Sequence, residues 1–117
     1  MRLLFVEDDK HVRDSIVAVL SLQSIEVVSF ARGDEFIEHV NSGAAFDAAV
    51  IDVTLPDMTG WELRDWLREA GYSQPAVVCS GKAQPEDLPA DTPYLQKPFP
   101  GSELIALLRS LIDEDAE

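Results

Sequence analysis

Cysteine is almost missing from this chain: Cys79 stands alone among 117 residues. That excludes an internal disulfide framework and a multi-cysteine zinc site. Histidine is nearly as scarce, with His11 and His39 each lacking a ligand or nucleophile partner nearby in sequence, so both read as surface residues. No apolar run approaches the roughly 18 residues that a membrane helix needs. The opening Met1-Arg2-Leu3-Leu4-Phe5-Val6-Glu7 turns acidic too early for a secretory leader, and a cytoplasmic address is expected. Positive charge is in deficit: 9 Lys and Arg face 22 Asp and Glu, a net charge of -13. A field of that sign repels nucleic acid and anionic membranes, so direct contact with either is not expected. The length allows one core, not a catalytic domain beside a separate second module.

What is present is a regular alternation of apolar runs and amphipathic stretches. Leu3-Leu4-Phe5-Val6, Val27-Val28, Ala48-Ala49-Val50-Ile51, Ala76-Val77-Val78-Cys79 and the weaker Tyr94-Leu95 are short and unbroken, as strands covered on both faces of a parallel sheet should be. Between them, Val12, Ile16, Val19 and Leu20 keep helical spacing behind Asp9 as N-cap. Phe36, Ile37 and Val40 form a second stripe, ended near Asn41-Ser42-Gly43. Leu63, Trp66, Leu67 and Ala70 form a third, stopped by Gly71, and Leu104, Leu107, Leu108 and Leu111 a last one. This order predicts a three-layer α/β domain, a doubly wound, flavodoxin-like (βα)5 parallel sheet. The stretch between Ser80 and Tyr94 holds Pro85, Pro89 and Pro93. Pro85 could open a helix, but Pro89 would interrupt it after one turn, so the fourth helix is expected to be shortened or irregular. The domain is read as 1–112, and 113–117 as a solvated acidic tail.

Ligands of open α/β sheets bind beyond the carboxyl ends of the strands. The first run ends in Glu7-Asp8-Asp9, the third in Asp52, the fourth in Ser80-Gly81 and the fifth in Lys97-Pro98. Several carboxylates, a hydroxyl and one lysine would then meet at one edge. Clustered carboxylates raise one another's pKa unless a cation joins them. Oxygen ligands without His or Cys suit a hard divalent ion, Mg²⁺ first among them. Lys97 and Ser80 could hold the remaining oxygens of a phosphoryl group, and Asp52 could carry it as a mixed anhydride. Asp9 has a competing reading as a helix cap only.

These residues, Phe5-Val6-Glu7-Asp8-Asp9, Ile51-Asp52-Val53-Thr54-Leu55-Pro56-Asp57-Met58-Thr59-Gly60, Ser80-Gly81 and Tyr94-Leu95-Gln96-Lys97-Pro98-Phe99, resemble those of the receiver domain of two-component response regulators, over 1–112. The chemotaxis regulator belongs to the same group. The resemblance implies that Asp52 accepts a phosphoryl group from a histidine kinase or phosphotransfer protein. It implies that Glu7, Asp8, Asp52 and the Thr54 backbone carbonyl bind Mg²⁺, and that Lys97 pairs with the phosphate, its bond to Pro98 being cis. It further implies that Ser80 and Tyr94 form the switch, and that Thr54 and Lys82 tune hydrolysis of the aspartyl phosphate. Such a domain is a phosphoacceptor rather than a conventional enzyme, and its downstream protein partner is not readable. A shortened fourth helix is similar to receivers of hybrid kinases and to some stand-alone ones, and puts the family's usual dimer and partner face in question.

Two enzyme-like alternatives fit less well. An aspartate-nucleophile phosphatase needs a second Asp two residues after the first, where this chain has Thr54. A flavin carrier needs a phosphate cradle after the first strand, where Glu7-Asp8-Asp9 would repel the phosphate. A degenerate receiver used only for binding would have no reason to keep Asp52, Lys97 and the acidic pair. Cys79 reads as a small apolar filler, Trp66 as core, and Trp61 as partly exposed near the site. Pro56 and Gly60 read as residues that shape the backbone.

Overall fold

The five apolar runs form strands in the computed structural model, which describes residues 1–88 and 92–115. The elements are β1 (Arg2–Val6), α1 (Lys10–Ser21), β2 (Glu26–Phe30), α2 (Gly33–Asn41), β3 (Ala48–Asp52), α3 (Gly60–Glu69), β4 (Ala76–Ser80), β5 (Tyr94–Gln96) and α4 (Gly101–Asp115). All strand pairs are parallel, in the order β2-β1-β3-β4-β5. The three four-residue apolar runs occupy the three middle positions, where both faces are covered, while β2 at the edge is only half-buried.

Strand alternation sorts the core into two layers. Leu3 and Phe5 of β1, Ala48 and Val50 of β3, and Val77 and Cys79 of β4 pack with Leu20 of α1 and Leu104 and Leu108 of α4. Leu4, Val6, Ala49, Ile51 and Ala76 pack on the other side with Phe36 of α2 and Leu63 and Leu67 of α3. Each of the Leu, Ile, Val and Phe side chains among them, fully buried, contributes roughly 1.5–3 kcal/mol. This is the doubly wound, flavodoxin-like architecture expected from the pattern.

The helix boundaries follow local chemistry. The Asp9 carboxylate accepts from the amides of His11 (2.9 Å) and Val12 (3.2 Å) and caps α1. Gly71 takes the left-handed conformation, φ +93°, just after α3. The chain passes from Ser80 to Tyr94 with no helix among the described residues, only a turn closed by the Leu88 amide on the Pro85 carbonyl (3.4 Å). Pro89, expected to interrupt that segment, lies outside the described residues.

Some expectations shift. α4 continues through Asp113–Asp115 because neither Gly nor Pro follows Gly101 to break it, so the acidic segment starts as helix; Ala116 and Glu117 lie outside the described residues. Val19 leaves the buried stripe at 38% exposed and rests its methyl on the start of α4, where an added Cβ on Gly101 would lie 2.4 Å away. Ala70 is the exposed C-cap of α3 rather than part of its buried stripe. Trp66 is half-buried against the α2–α3 layer. His39 is not on the surface: it is half-buried with its ring 5.3 Å from Phe30.

Candidate functional site

Two residues beyond Phe5, Val50 and Leu95, all in the α1–α4 layer, stand Glu7, Asp52 and Lys97. The strand alternation therefore aims three side chains distant in sequence toward one place at the carboxyl edge. Hydrogen bonds at the strand ends hold them there. The Glu7 amide donates to the Phe30 carbonyl (2.9 Å), Val53 to Cys79 (2.9 Å) and Lys97 to Ser80 (2.7 Å). Arg13, one turn into α1, donates from Nη1 to the Glu7 carbonyl at 2.7 Å.

Lys97 Nζ reaches both acids, donating to Asp52 Oδ2 at 2.8 Å and to Glu7 Oε1. Glu7 and Asp52 are buried, whereas Asp8 is exposed at the rim. One carboxylate oxygen from each of Glu7, Asp8 and Asp52 lies within 4.8 Å of the other two. Burial first, then the hydrogen bond and charge of Asp52, push the Glu7 carboxyl up to about 7, with Lys97 pulling the other way. Burial alone would lower the Lys97 ammonium; its bonds to Asp52 and Glu7 outweigh that and hold it above its ordinary value. An all-oxygen set gathered this closely fits a hard divalent cation such as Mg²⁺. Asp9 is spent on capping α1 and does not belong to the set.

The loop after β3 is shaped around Asp52. The Thr54 amide donates to Asp52 Oδ1 (3.1 Å), which lays the exposed Thr54 peptide against the carboxylate. Gly60 packs so closely that an added Cβ would lie 2.3 Å from the Asp52 carbonyl oxygen, so only glycine fits. Thr59 then caps α3, its hydroxyl accepting from the Glu62 amide (3.1 Å). The Lys97–Pro98 bond is cis.

Ser80 ends β4, buried, with Oγ accepting from the Lys82 amide at 3.2 Å. Lys82 is exposed, and its carbonyl accepts from the Tyr94 hydroxyl at 2.6 Å. The half-buried Tyr94 ring stacks on Trp61, centroids 6.4 Å apart and planes 8° from parallel. The structure thus brings Glu7, Asp8, Asp52, Thr54 and Lys97 together directly, and sets Ser80, Lys82 and Tyr94 in a second chain of contacts beside them.

Two residues escaped the sequence reading. Arg13 carries a weak signal, a cation on the first turn of a helix that follows an acidic strand end. Asp57 carries none: its carboxylate caps α2, accepting from the amides of Gly33 and Asp34, both at 2.9 Å, 24 and 23 positions away. Cys79 is buried, and its thiol is pushed up to about 12 by burial, consistent with a filler.

Comparison with known proteins agrees with this geometry. Among similar curated proteins, transcriptional regulatory protein DltR of Streptococcus agalactiae is 35% identical over 115 residues, 93% of this chain and 50% of that protein. Cell cycle response regulator CtrA of Brucella ovis is 34% identical over 118 residues, 96% of this chain and 50% of that protein. The chain spans about half the length of the curated relatives it matches. Among solved structures, the receiver domain of the Francisella response regulator 1452 superposes with a TM-score of 0.89 at 26% identity, covering 97% of this chain and 98% of that one. The BeF3-activated N-terminal receiver domain of Klebsiella pneumoniae RstA gives 0.84 at 27% identity, covering 96% and 98%. Residues 3–109 match the response regulator receiver domain, a span that takes in Glu7, Asp52, Ser80 and Lys97, and the chain belongs to that family.

Proposed function

We propose that Asp52 is the phosphoacceptor of a two-component relay, modified by a histidine kinase or a phosphotransfer protein. The observation that carries this reading is the meeting of Asp52 with Lys97, at 2.8 Å, inside a cluster completed by Glu7 and Asp8. In the transfer, the phosphorus–nitrogen bond of a phosphohistidine breaks as a phosphorus–oxygen bond to Asp52 forms. The imidazole keeps the electron pair and takes up a proton. A Mg²⁺ ion held by Glu7, Asp8, Asp52 and the Thr54 carbonyl would neutralise charge on the carboxylates and the phosphoryl oxygens. Lys97 pairs with a phosphoryl oxygen, and Ser80 turns its hydroxyl to donate to another. The room Ser80 leaves admits Tyr94, and a gain of a few kcal/mol is enough to shift the population. Thr54 and Lys82, both at the rim, tune how fast water reaches the acyl phosphate.

On this reading the domain is a phosphorylated switch with self-catalysed chemistry, not a conventional enzyme. It works in the cytoplasm, where such donors reside. Its acidic balance favours output through protein contacts over direct contact of this domain with nucleic acid. No helix among the described residues is long and apolar enough to cross a membrane. Incubation with acetyl phosphate and Mg²⁺, read by intact mass, tests the reading. A base-labile gain of one phosphoryl group is expected in the wild type and none in Asp52→Ala. An equal gain in both would overturn the assignment.

A further inference from the structure

We propose that Trp61 holds Tyr94 in its outward position and so sets the resting bias of the switch. This rests on the reading of Ser80 and Tyr94 given above and adds a residue to it. Three contacts run in series from the site. Ser80 Oγ accepts from the Lys82 amide, the Lys82 carbonyl accepts from the Tyr94 hydroxyl, and the Tyr94 ring lies parallel to the Trp61 indole. When Ser80 turns toward a phosphoryl oxygen it leaves the Lys82 amide, and the turn that supplies Tyr94 with its acceptor loosens. The stack on Trp61 is then the restraint that Tyr94 still has to leave.

Trp61 is well placed to be that restraint. It sits in the first turn of α3, directly after Gly60, which packs on the Asp52 carbonyl, and beside the cap made by Thr59. Its backbone is thereby tied to the backbone of the phosphoacceptor. Trp61 also borders a cleft of about 300 Å³ with Pro85 and Leu88 of the connection between β4 and β5. That connection forms no helix among the described residues, so Tyr94 leans on α3 here rather than on a fourth crossover helix. The centroid separation falls in the range of productive aromatic pairs, whose strength corresponds to about a 2- to 10-fold population bias. Trp61 is thus a positioning residue that acts through Tyr94.

The test is titration of the full chain with beryllofluoride in excess Mg²⁺, counting the carboxylate-bound group by its own ¹⁹F resonance. Trp61→Ala and Trp61→Leu should lower the half-saturating concentration by about 2- to 10-fold, since the resting state loses its stack. Trp61→Phe should stay within about twofold of wild type. In a Tyr94→Ala background, Trp61→Ala should have no further effect. The leucine variant fills much of the same space and carries the test if alanine unfolds the protein. Unchanged or weaker binding in folded Trp61 variants, or an equal effect without Tyr94, would overturn the proposal while leaving Asp52 as phosphoacceptor. Failure of the wild type to bind, or binding that survives Asp52→Ala, would sink both.

Discussion

The carboxyl of Glu7 is 1% exposed and shares Lys97 with a second acid, Asp52. Its pKa, pushed up to about 7 by burial and by Asp52, means that the metal-free folded state still holds a proton that the unfolded state releases near 4.5. The stability contributed by this group is therefore complete below about 4.5 and is lost as pH rises through about 7. A divalent ion asks for the opposite form. Mg²⁺ affinity, measured by calorimetric titration, is expected to be flat above pH 7 and to weaken below it by up to about tenfold per pH unit. Affinity that does not change between pH 6 and 8 would show that no proton on Glu7 competes with the ion in this range. Gly60 shows a different kind of constraint, where the requirement is the absence of a side chain against the Asp52 carbonyl.

Among the helices, α2 depends on a residue outside itself. Arg32 at its N-terminus makes no side-chain cap, and Asp57 from the loop between β3 and α3 supplies both acceptors. The same loop lays Met58 over Gly33. Burial would raise the Asp57 carboxyl, but the amides of Gly33 and Asp34 outweigh it and hold it below the ordinary range. Its contribution is therefore present near neutral pH and lost on acidification. Asp57→Ala should cost about 1–2 kcal/mol of stability in urea denaturation at pH 7. A loss below about 0.3 kcal/mol would mean that water replaces the cap without penalty. α1, by contrast, carries its own cap in Asp9 and can be read without reference to any distant residue.

Taken as a whole, the molecule has one thiol placed to report on its integrity. Cys79 lies in the central layer of the sheet, 0% exposed, with its thiol pushed up to about 12 by burial. It faces the α1–α4 layer and packs among residues of β1, β3 and β4, so no single loop opening frees it. A chromogenic thiol reagent at pH 8 should react with it only through global unfolding, at a rate that follows the far-ultraviolet signal as urea is raised. Fast labelling without urea would show that the α1–α4 layer opens on its own.

The order of local events was written in the chain itself. Unbroken apolar runs marked the buried strands, Asp9 and Gly71 marked a helix start and a helix stop, and the prolines between Ser80 and Tyr94 marked a connection with no helix among its described residues. So were the groups that end each strand, because a parallel α/β sheet sends all its strand ends to one edge. These features are legible because they depend on side-chain shape, backbone freedom and burial within a few residues. Partner choice is different. That Lys97 lies between Glu7 and Asp52, that Asp57 caps a helix 23 positions back, that Tyr94 stacks on Trp61, and that His39 shelters beside Phe30 all depend on strand order and register. Those are settled only when the sheet closes and two layers of helices pack over it, since contacts between distant segments are chosen by packing and not by neighbours in sequence.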